Sequence, residues 1–351
     1  MSKRFPYLIA AARCLLQAVP VHRLMRPLYG GIGTIFVLHR VRPPSAEPRL
    51  PGNARLEVSP AFLASLVDFV VDAGFDVVSL DEAHARLAGK SAGRRFVCFT
   101  FDDGYADNHE YVYPIFRECG LPFAVYVASG YVSRSSMLWH CMLERLLLRH
   151  DEIRYELDGV PRVERATTIE EKEALYGRLC NIVMGLPPAR WPALFDSLFD
   201  DTGIRPEQFH AEVMDWDQVT ALSRDPLVTI GAHTVNHYNL ALLDEEQARW
   251  EIAESKRIIE QRTGRPVRHF AYPFGLAAHA GEREFRLVEA CGFDTATTTR
   301  EGNLFPAHRE HLYCLPRIEV TGRHQDVAFV DMRLSGVVSL WRYGPQRVVT
   351  A

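Results

Sequence analysis

The stretch Phe96-Val97-Cys98-Phe99-Thr100-Phe101-Asp102-Asp103-Gly104-Tyr105 places two adjacent carboxylates directly after a run of apolar residues. A regular strand would point Asp102 and Asp103 to opposite faces, whereas Gly104 has the backbone freedom to turn both into one cavity. An unpaired buried carboxylate costs several kcal/mol, so the pair needs a metal ion or another cation nearby. The alternative is an Asp-Asp-Gly turn that only ends a buried strand, and this stretch alone leaves both interpretations open.

A pair of histidines follows a second apolar run, Leu227 to Ile230, in the segment Gly231-Ala232-His233-Thr234-Val235-Asn236-His237. Histidines four residues apart share one face of a helical turn. Joined by one carboxylate, they form a ligand set that leaves positions open for water and substrate, as in catalytic zinc sites. Two exposed loop histidines are the alternative. Because carboxylates and histidines both follow apolar strands, we expect them at the same end of one sheet.

A third short apolar strand ends in a turn, in Arg268-His269-Phe270-Ala271-Tyr272-Pro273-Phe274-Gly275. With it the sequence resembles the NodB-homology polysaccharide deacetylases (carbohydrate esterase family 4). Members carry T-F-D-D-G, then H-[ST]-x-x-H, then a strand ending in a Pro-x-Gly turn. The matches here are Thr100 to Gly104, His233 to His237, and Phe270 to Gly275, the last in the F-A-Y-P-F-G form of exopolysaccharide-associated members. Weaker likeness extends from Phe36–Val41 to Leu315–Ile318.

The alternation of apolar strands with helical patterns predicts an α/β protein with a parallel sheet. The resemblance implies a distorted (β/α)7 barrel, which periodicity alone does not distinguish from an open doubly wound sheet. The seven strand candidates are Thr34 to His39, Phe96 to Phe101, Phe123 to Ser129, Leu227 to Ala232, Arg268 to Tyr272, Thr295 to Thr299 and Leu315 to Val320. We expect a further short strand, Asp76 to Leu80, beside the first of these.

The predicted domain organisation is an N-terminal amphipathic segment (1–33), the barrel (34–325) and a C-terminal tail (326–351). Between Ser129 and Leu227 the chain is much longer than one crossover helix requires, so a largely helical insertion is expected at about 133–217. It contains helical patterns at 138–146, 169–184 and 188–198. This insertion is placed to cover the mouth of the site.

The resemblance implies hydrolysis of N-acetyl groups on an amino-sugar polysaccharide or its lipid-linked precursor. Asp103, His233 and His237 would hold a divalent ion, zinc before cobalt, nickel or iron. Asp102 would then act as general base, and the backbone N–H of Tyr272 would stabilise the oxyanion. Contacts with the N-acetylated glycan are expected from Tyr105, Pro273 and Trp139, although the aromatic and leucine pattern around Trp139 also fits core packing.

The sequence departs from the family pattern at two places. Ala271 stands where many relatives have an arginine that pairs with the base, and Arg317 is expected to replace it. No clear match exists for the histidine that protonates the leaving amine, and His308 and His311 fall in the right interval. A catalytically weak carbohydrate-binding homologue and a metal-dependent amidase on a non-sugar substrate therefore remain alternatives.

The amino-acid composition indicates which classes of partner and which cellular location to expect. With Lys+Arg 40 against Asp+Glu 44, the chain has no basic excess, which argues against nucleic acid or another polyanion. Seven scattered cysteines without a C-x-x-C pair indicate neither a disulfide framework nor a thiolate zinc site. Arg13 interrupts the apolar stretch Phe5 to Pro20, so residues 5–26 fit an amphipathic surface helix better than a signal peptide. Such a helix is either an interfacial anchor or an ordinary helix packed on the barrel exterior. We expect a cytoplasmic protein with peripheral contact to the inner membrane.

Overall fold

The computed structural model describes residues 21–350, so most of the predicted N-terminal amphipathic segment, including Phe5 to Pro20, lies outside the described residues. Its strands, numbered in chain order, are β1 (Gly33–Leu38), β2 (Arg40–Val41), β3 (Glu57–Val58), β4 (Asp76–Val77), β5 (Phe96–Phe101), β6 (Phe123–Val127), β7 (Glu152–Leu157), β8 (Val160–Arg165), β9 (Val228–Ala232), β10 (His269–Ala271), β11 (Thr295–Glu301) and β12 (Leu315–Glu319).

Seven of these strands form a closed parallel barrel. Their order is β1-β12-β11-β10-β9-β6-β5, and β1 pairs again with β5 from Gly33↔Phe96 to Leu38↔Phe101. The barrel implied by the resemblance is therefore confirmed, and the open doubly wound sheet is excluded. Every residue of β1, β5 and β6 is buried, because side chains on one face fill the barrel and those on the other pack under helices.

The predicted position of the additional short strand was wrong. β4 pairs with the start of β5, through Asp76↔Phe96 and Val77↔Val97, and not with β1. The reason is that β1 already has β5 and β12 as neighbours, so it offers no free edge. β5 does, because β6 pairs only with its last two residues, Thr100 and Phe101.

Several helices begin and end at capping residues. The α-helices of the described residues are Val21–Tyr29, Pro51–Ala54, Pro60–Asp72, Leu80–Leu87, Tyr113–Cys119, Ser129–Val132, Trp139–Arg149, Ile169–Gly185, Trp191–Phe199, Trp216–Arg224, Glu245–Thr263, Glu282–Ala290, Val327–Leu334 and Val337–Tyr343. Ser59 caps the third by accepting a hydrogen bond from the Phe62 N–H. Gly264, in a left-handed conformation (φ 67°), ends Glu245–Thr263. None of the helices in residues 21–350 is long and apolar enough to cross a membrane.

The long segment between β6 and β9 carries the predicted helices, here Trp139–Arg149, Ile169–Gly185 and Trp191–Phe199. It also contains an antiparallel hairpin of β7 and β8 that the sequence analysis missed. Its turn is Asp158-Gly159, both at positive φ, as an Asp-Gly hairpin turn requires. The Asp158-Gly159 pair was therefore a hairpin signal in the sequence, but the many charged residues around it concealed the two strands.

Candidate active site

The two carboxylates stand at the carboxyl end of β5. The Asp102 N–H donates to the Leu38 carbonyl (2.9 Å), which extends the β1–β5 ladder by one residue. Asp103 (φ 75°) and Gly104 (φ 80°) then both adopt the left-handed conformation. The turn therefore needs an unusual backbone at Asp103 itself as well as at Gly104, and strain of this kind concentrates at functional sites.

The two histidines come from the loop after β9. The His233 N–H donates to the Val127 carbonyl (3.0 Å), so His233 begins where the strand ends. The expected helical turn was wrong: Thr234 (φ 62°) and His237 (φ 57°) are left-handed, and the loop bends twice. The Thr234 hydroxyl accepts a hydrogen bond from the His237 N–H (3.0 Å), which closes the bend and brings both imidazoles to one side.

A buried carboxylate outside the motif holds this loop from behind. Glu251, only 2% exposed on helix Glu245–Thr263, accepts hydrogen bonds from the Val235 N–H (2.9 Å) and the Asn236 N–H (2.8 Å). It also accepts one from the Asn236 side chain (2.6 Å). Burial raises the pKa of Glu251, and these donors oppose that rise. Glu251 has no signal in the sequence, because it lies on a helix without a motif.

The predicted metal ligands converge. The Asp103 Oδ1 lies 3.4 Å from His233 Nε2 and 3.2 Å from His237 Nε2, and one ligand atom from each residue lies within 4.8 Å of the others. The Asp103 Oδ1 is buried without a hydrogen-bond partner in the described part of the chain. The His233 Nδ1 lies 2.7 Å from the Ala271 carbonyl, which fixes the proton there and leaves the Nε2 lone pair for a cation. These donors fit a divalent ion.

Electrostatics keep the ligand carboxylate ionised. Burial alone would raise the pKa of Asp103, but His237 and His233 outweigh it and hold the pKa well below its usual range. The pKa of His237 is lowered by burial, against the attraction of Asp103. Burial would also lower the pKa of His233, but its contact with Asp103 and the charge of Asp102 outweigh burial and raise it, so metal binding there would release a proton.

Asp102 is held by Arg317, as the sequence analysis expected from Ala271. The guanidinium donates from Nη1 to Oδ1 and from Nη2 to Oδ2, both at 2.7 Å, and Arg317 and Asp102 are 0% and 2% exposed. Arg317 also donates to the Thr100 hydroxyl (3.1 Å) and to the Thr298 carbonyl (2.8 Å). Burial would raise the pKa of Asp102, but Arg317 lowers it below its ordinary value. Asp102 is thus an ionised carboxylate outside the converging ligand set.

His39 is a further group at this end of the barrel. It directly follows β1, whose last residue Leu38 pairs with Phe101, so it stands level with the carboxylates. Its charge contributes to lowering the pKa of both Asp102 and Asp103, after the larger effects of burial and of their direct partners. The sequence signal was available, because His39 ends an apolar strand in the same way as Asp102 does.

The backbone N–H proposed for the oxyanion is in use elsewhere. The Tyr272 N–H donates to the Thr297 carbonyl (3.2 Å), so it continues the β10–β11 ladder and does not face the substrate. Two residues on, Phe274 (φ 60°) has its ring 4.9 Å from that of His237. Its N–H has no hydrogen-bond partner within residues 21–350. Phe274 therefore offers the free donor that Tyr272 does not.

Aromatic residues from the insertion and from the motif loops surround the metal ligands. The Tyr131 ring stacks on His237 with centroids 5.7 Å apart. The Tyr105 hydroxyl lies 2.8 Å from Nε2 of His140, the second residue of the insertion helix Trp139–Arg149. Burial lowers the pKa of His140 to about 4, so this imidazole is neutral near neutral pH. The insertion thus supplies part of the wall of the site.

The residues expected to contact the glycan have little exposed surface in the structure. Tyr105 and Pro273 are buried, and Trp139 is 4% exposed and packs edge-on against Trp191 in the core. Contact of these three side chains with a sugar stays a prediction.

The prediction for His308 does not fit its position. His308 is 0% exposed in the connection that returns from β11 to the start of β12. Just before it, Leu304 pairs with Gly33, the first residue of β1. His308 therefore lies at the amino end of the strands, opposite the carboxylates, and cannot reach a substrate bound there.

Comparison with known proteins gives one family match and several structural ones. A sequence profile described as Polysaccharide deacetylase matches residues 89–295. The Streptococcus pyogenes deacetylase PplD in complex with acetate is similar with a TM-score of 0.57 and 16% identity, covering 85% of this chain and 97% of that one. IcaB from Ammonifex degensii has a TM-score of 0.53 and 18% identity, covering 86% and 97%. At such identities the likeness shows the fold alone. No curated protein sequence matches.

Proposed function

Because the chain belongs to the polysaccharide deacetylase family, we propose that it hydrolyses N-acetyl groups of an amino-sugar polysaccharide or its lipid-linked precursor. The observation that carries the proposal is that two neighbouring carboxylates have different surroundings, which suit different roles. Asp103 faces two histidines with an oxygen that has no hydrogen-bond partner in the described residues, whereas Asp102 is held by a buried arginine. One side chain suits a metal ligand and the other a general base.

Asp103, His233 and His237 would hold the cofactor, and two imidazoles with one carboxylate favour zinc over magnesium or calcium. When bound, such an ion supplies Lewis acidity toward the acetamide oxygen and lowers the pKa of a water molecule. Cobalt, nickel or iron are the substitutes that the same ligands accept.

The remaining roles belong to groups of the chain itself. Asp102 accepts the proton of the attacking water, and Arg317 is a positioning residue that keeps this carboxylate ionised and oriented. The Phe274 N–H donates to the oxygen that becomes negative in the tetrahedral intermediate. His39, level with Asp102, gives the leaving amine its proton. The Arg317–Asp102 pair supports turnover despite Ala271 and so speaks against a catalytically weak homologue.

Release of acetate from N-acetylglucosamine oligomers tests the proposal. We expect metal-dependent release that stops with a chelator and returns when Zn²⁺ is added. The rival amidase reaction is tested in the same assay with N-acetylated non-sugar amines. Faster release from those amines than from the oligomers would replace the proposed function with the rival, and chelator-resistant release would contradict the metal role.

We further propose that the protein acts on the cytoplasmic side, with peripheral contact to the inner membrane. Two observations support this. Cys98, Cys119, Cys141, Cys180, Cys291 and Cys314 are free, as expected in a reducing compartment. On helix Val21–Tyr29, Leu24 and Leu28 are 76% and 51% exposed, which suits contact with an apolar surface. Fractionation of the native host tests it, and a shortened chain found outside the cytoplasm would contradict it.

A further inference from the structure

A cavity of about 520 Å³ lies between the loop that follows β2 and one face of the insertion helix Trp139–Arg149. Five of its lining residues are arginines: Arg40, Arg42, Arg49, Arg145 and Arg149. The chain as a whole has more acidic than basic residues, with Asp+Glu 44 against Lys+Arg 40, so this cluster does not reflect the composition. None of the catalytic roles proposed above uses it.

Two of these arginines are fixed in place by buried carboxylates. Arg40 is 5% exposed, and its Nε donates to Asp107 at 2.9 Å. The Arg49 Nε donates to Glu144 at 3.0 Å. The Arg40 Nη1 has no hydrogen-bond partner in the described residues. Guanidinium groups held in this way keep N–H donors available at a fixed position, which reduces the entropy lost when an anion binds.

The opposite wall carries two arginines without a carboxylate partner among residues 21–350. Arg145 lies 3.9 Å above the Phe209 ring and donates to the Gln208 side chain at 3.2 Å. Arg149 is exposed one helical turn further on, so both side chains lie on the same face. Of the carboxylates that line the cavity, Glu144 and Glu212 are engaged by arginines, and Glu47 is exposed. Arg40, Arg42 and Arg49 pair with Asp107, Glu57, Glu144 and Glu212, so among the described residues the charge left without an ion-pair partner is that of Arg145 and Arg149 against Glu47.

Buried residues between the cavity and the active site form a shared wall. The Arg40 guanidinium lies 4.5 Å above the Tyr105 ring, whose hydroxyl contacts His140. Cys141, the next residue, lines the cavity. At a rise of 1.5 Å per residue, Arg145 and Arg149 stand roughly 7 Å and 14 Å beyond His140 along the helix. To reach them, a glycan bound at the metal ligands must extend along this helix.

We propose that this cavity binds an anionic group of the glycan, a carboxylate or a phosphate, so that the enzyme prefers acidic acetylated glycans. The inference rests on the proposed function and names its substrate class. The cavity has the size of a small-molecule site, and arginine binds the planar oxygens of such groups with two hydrogen bonds. The net charge of the whole chain gave no indication of a polyanion partner. Net charge is a sum over all residues, so it does not describe the charge around a single cavity.

The test compares three oligomers of equal length: neutral N-acetylglucosamine, N-acetylglucosamine alternating with glucuronate, and N-acetylglucosamine carrying a terminal phosphate. The enzymes are wild type, the double variant Arg145→Gln/Arg149→Gln, and the control Arg154→Gln/Arg165→Gln, whose exposed arginines lie on the β7–β8 hairpin. The readouts are kcat/KM for acetate release and, by calorimetry, binding of the de-N-acetylated acidic oligomers.

We expect the wild type to have a higher kcat/KM for an acidic oligomer than for the neutral one. In the double variant this ratio should fall roughly tenfold through a higher KM, which is the effect of losing a hydrogen bond to a charged group. The control should retain the wild-type ratio. Preference for the glucuronate or for the phosphate oligomer identifies the source of the anion. The inference is overturned if the wild type has equal kcat/KM for neutral and acidic oligomers, or if the double variant loses as much kcat/KM on the neutral oligomer as on the acidic ones. If acidic oligomers bind through these arginines but no substrate releases acetate, the proposed function fails and the inference stands.

Discussion

Replacing Arg317 by Met removes the only cation that touches the Asp102 carboxylate in the described residues. The substitution deletes two hydrogen bonds of 2.7 Å to a carboxylate that is 2% exposed, together with those to Thr100 and Thr298. Removing one partner of a buried ion pair costs about 3–5 kcal/mol, because it leaves an uncompensated charge. Since domains are stable by only about 5–15 kcal/mol, we expect a large loss in the free energy of unfolding.

The assay is urea unfolding of metal-free protein near neutral pH, followed by tryptophan fluorescence, so that metal binding does not contribute. The control is the double variant Arg317→Met/Asp102→Asn, which removes the stranded charge and should recover about 1–3 kcal/mol of the loss. A single variant that loses less than about 1 kcal/mol, the worth of an exposed pair, would refute the reasoning. So would a double variant that is no more stable than the single one.

The pH dependence has a definite sign. In the wild type the pKa of Asp102 is lowered, so its contribution to stability is present above the unfolded value of about 3.9 and is lost as the pH falls through the folded value. Without Arg317 burial raises this pKa above the unfolded value, so the variant loses stability as the pH rises past about 3.9. The difference between the two proteins should therefore shrink as the pH approaches 4 from above.

Three further predictions concern the groups around the ligands. Glu251→Gln weakens two hydrogen bonds to the histidine loop and should lower metal affinity about 10–100-fold in a chelator competition, whereas Glu245→Gln, exposed on the same helix, should not. His39→Ala should lower kcat for acetate release about 10²–10⁴-fold with the metal retained, and His308→Asn should leave kcat near that of the wild type. If His308→Asn lowers kcat and His39→Ala does not, His308 is the general acid. Gly275→Ala should cost about 1–3 kcal/mol in thermal unfolding, because Gly275 has φ +65° and a Cβ there would lie 2.6 Å from the Thr299 nitrogen; an unchanged midpoint would show that the loop adapts.

The fold was predictable because strands such as β1, β5 and β6 are buried on both faces and read as apolar runs, although β11 (TATTTRE) is mostly polar. Each of the seven barrel strands lies within about two residues of its predicted range, as for Thr34 to His39 against Gly33–Leu38. The motif order then implied a barrel, which periodicity could not separate from an open sheet. The neighbours of β4 were not predictable, since they depend on which edges remain free after the barrel closes.

The candidate site was predictable in its residue types and less so in its backbone. Asp102, Asp103, His233, His237 and Arg317 lie together as expected, because all follow or occupy strands that open to one end. The left-handed conformations of Thr234 and Phe274 have no signal in residue type, and those of Asp103 and His237 have only the weak one that Asp and His adopt this region more often than other non-glycine residues. The Tyr272 N–H is not free to act as a donor, because it bonds to the Thr297 carbonyl in the sheet. Residue type does not reveal this hydrogen bond, which forms only in the folded sheet.

We assign the metal ion to Asp103 and the role of the general base to Asp102. Metal content and acetate release, measured on the same preparations of wild type, Asp102→Asn, Asp103→Ala and His233→Ala, test it most directly. We predict that Asp102→Asn retains about one metal ion per chain, as in the wild type, but loses turnover, whereas the two ligand variants lose both. An Asp102→Asn protein as poor in metal as His233→Ala, or one that still releases acetate at the wild-type rate, would contradict the account.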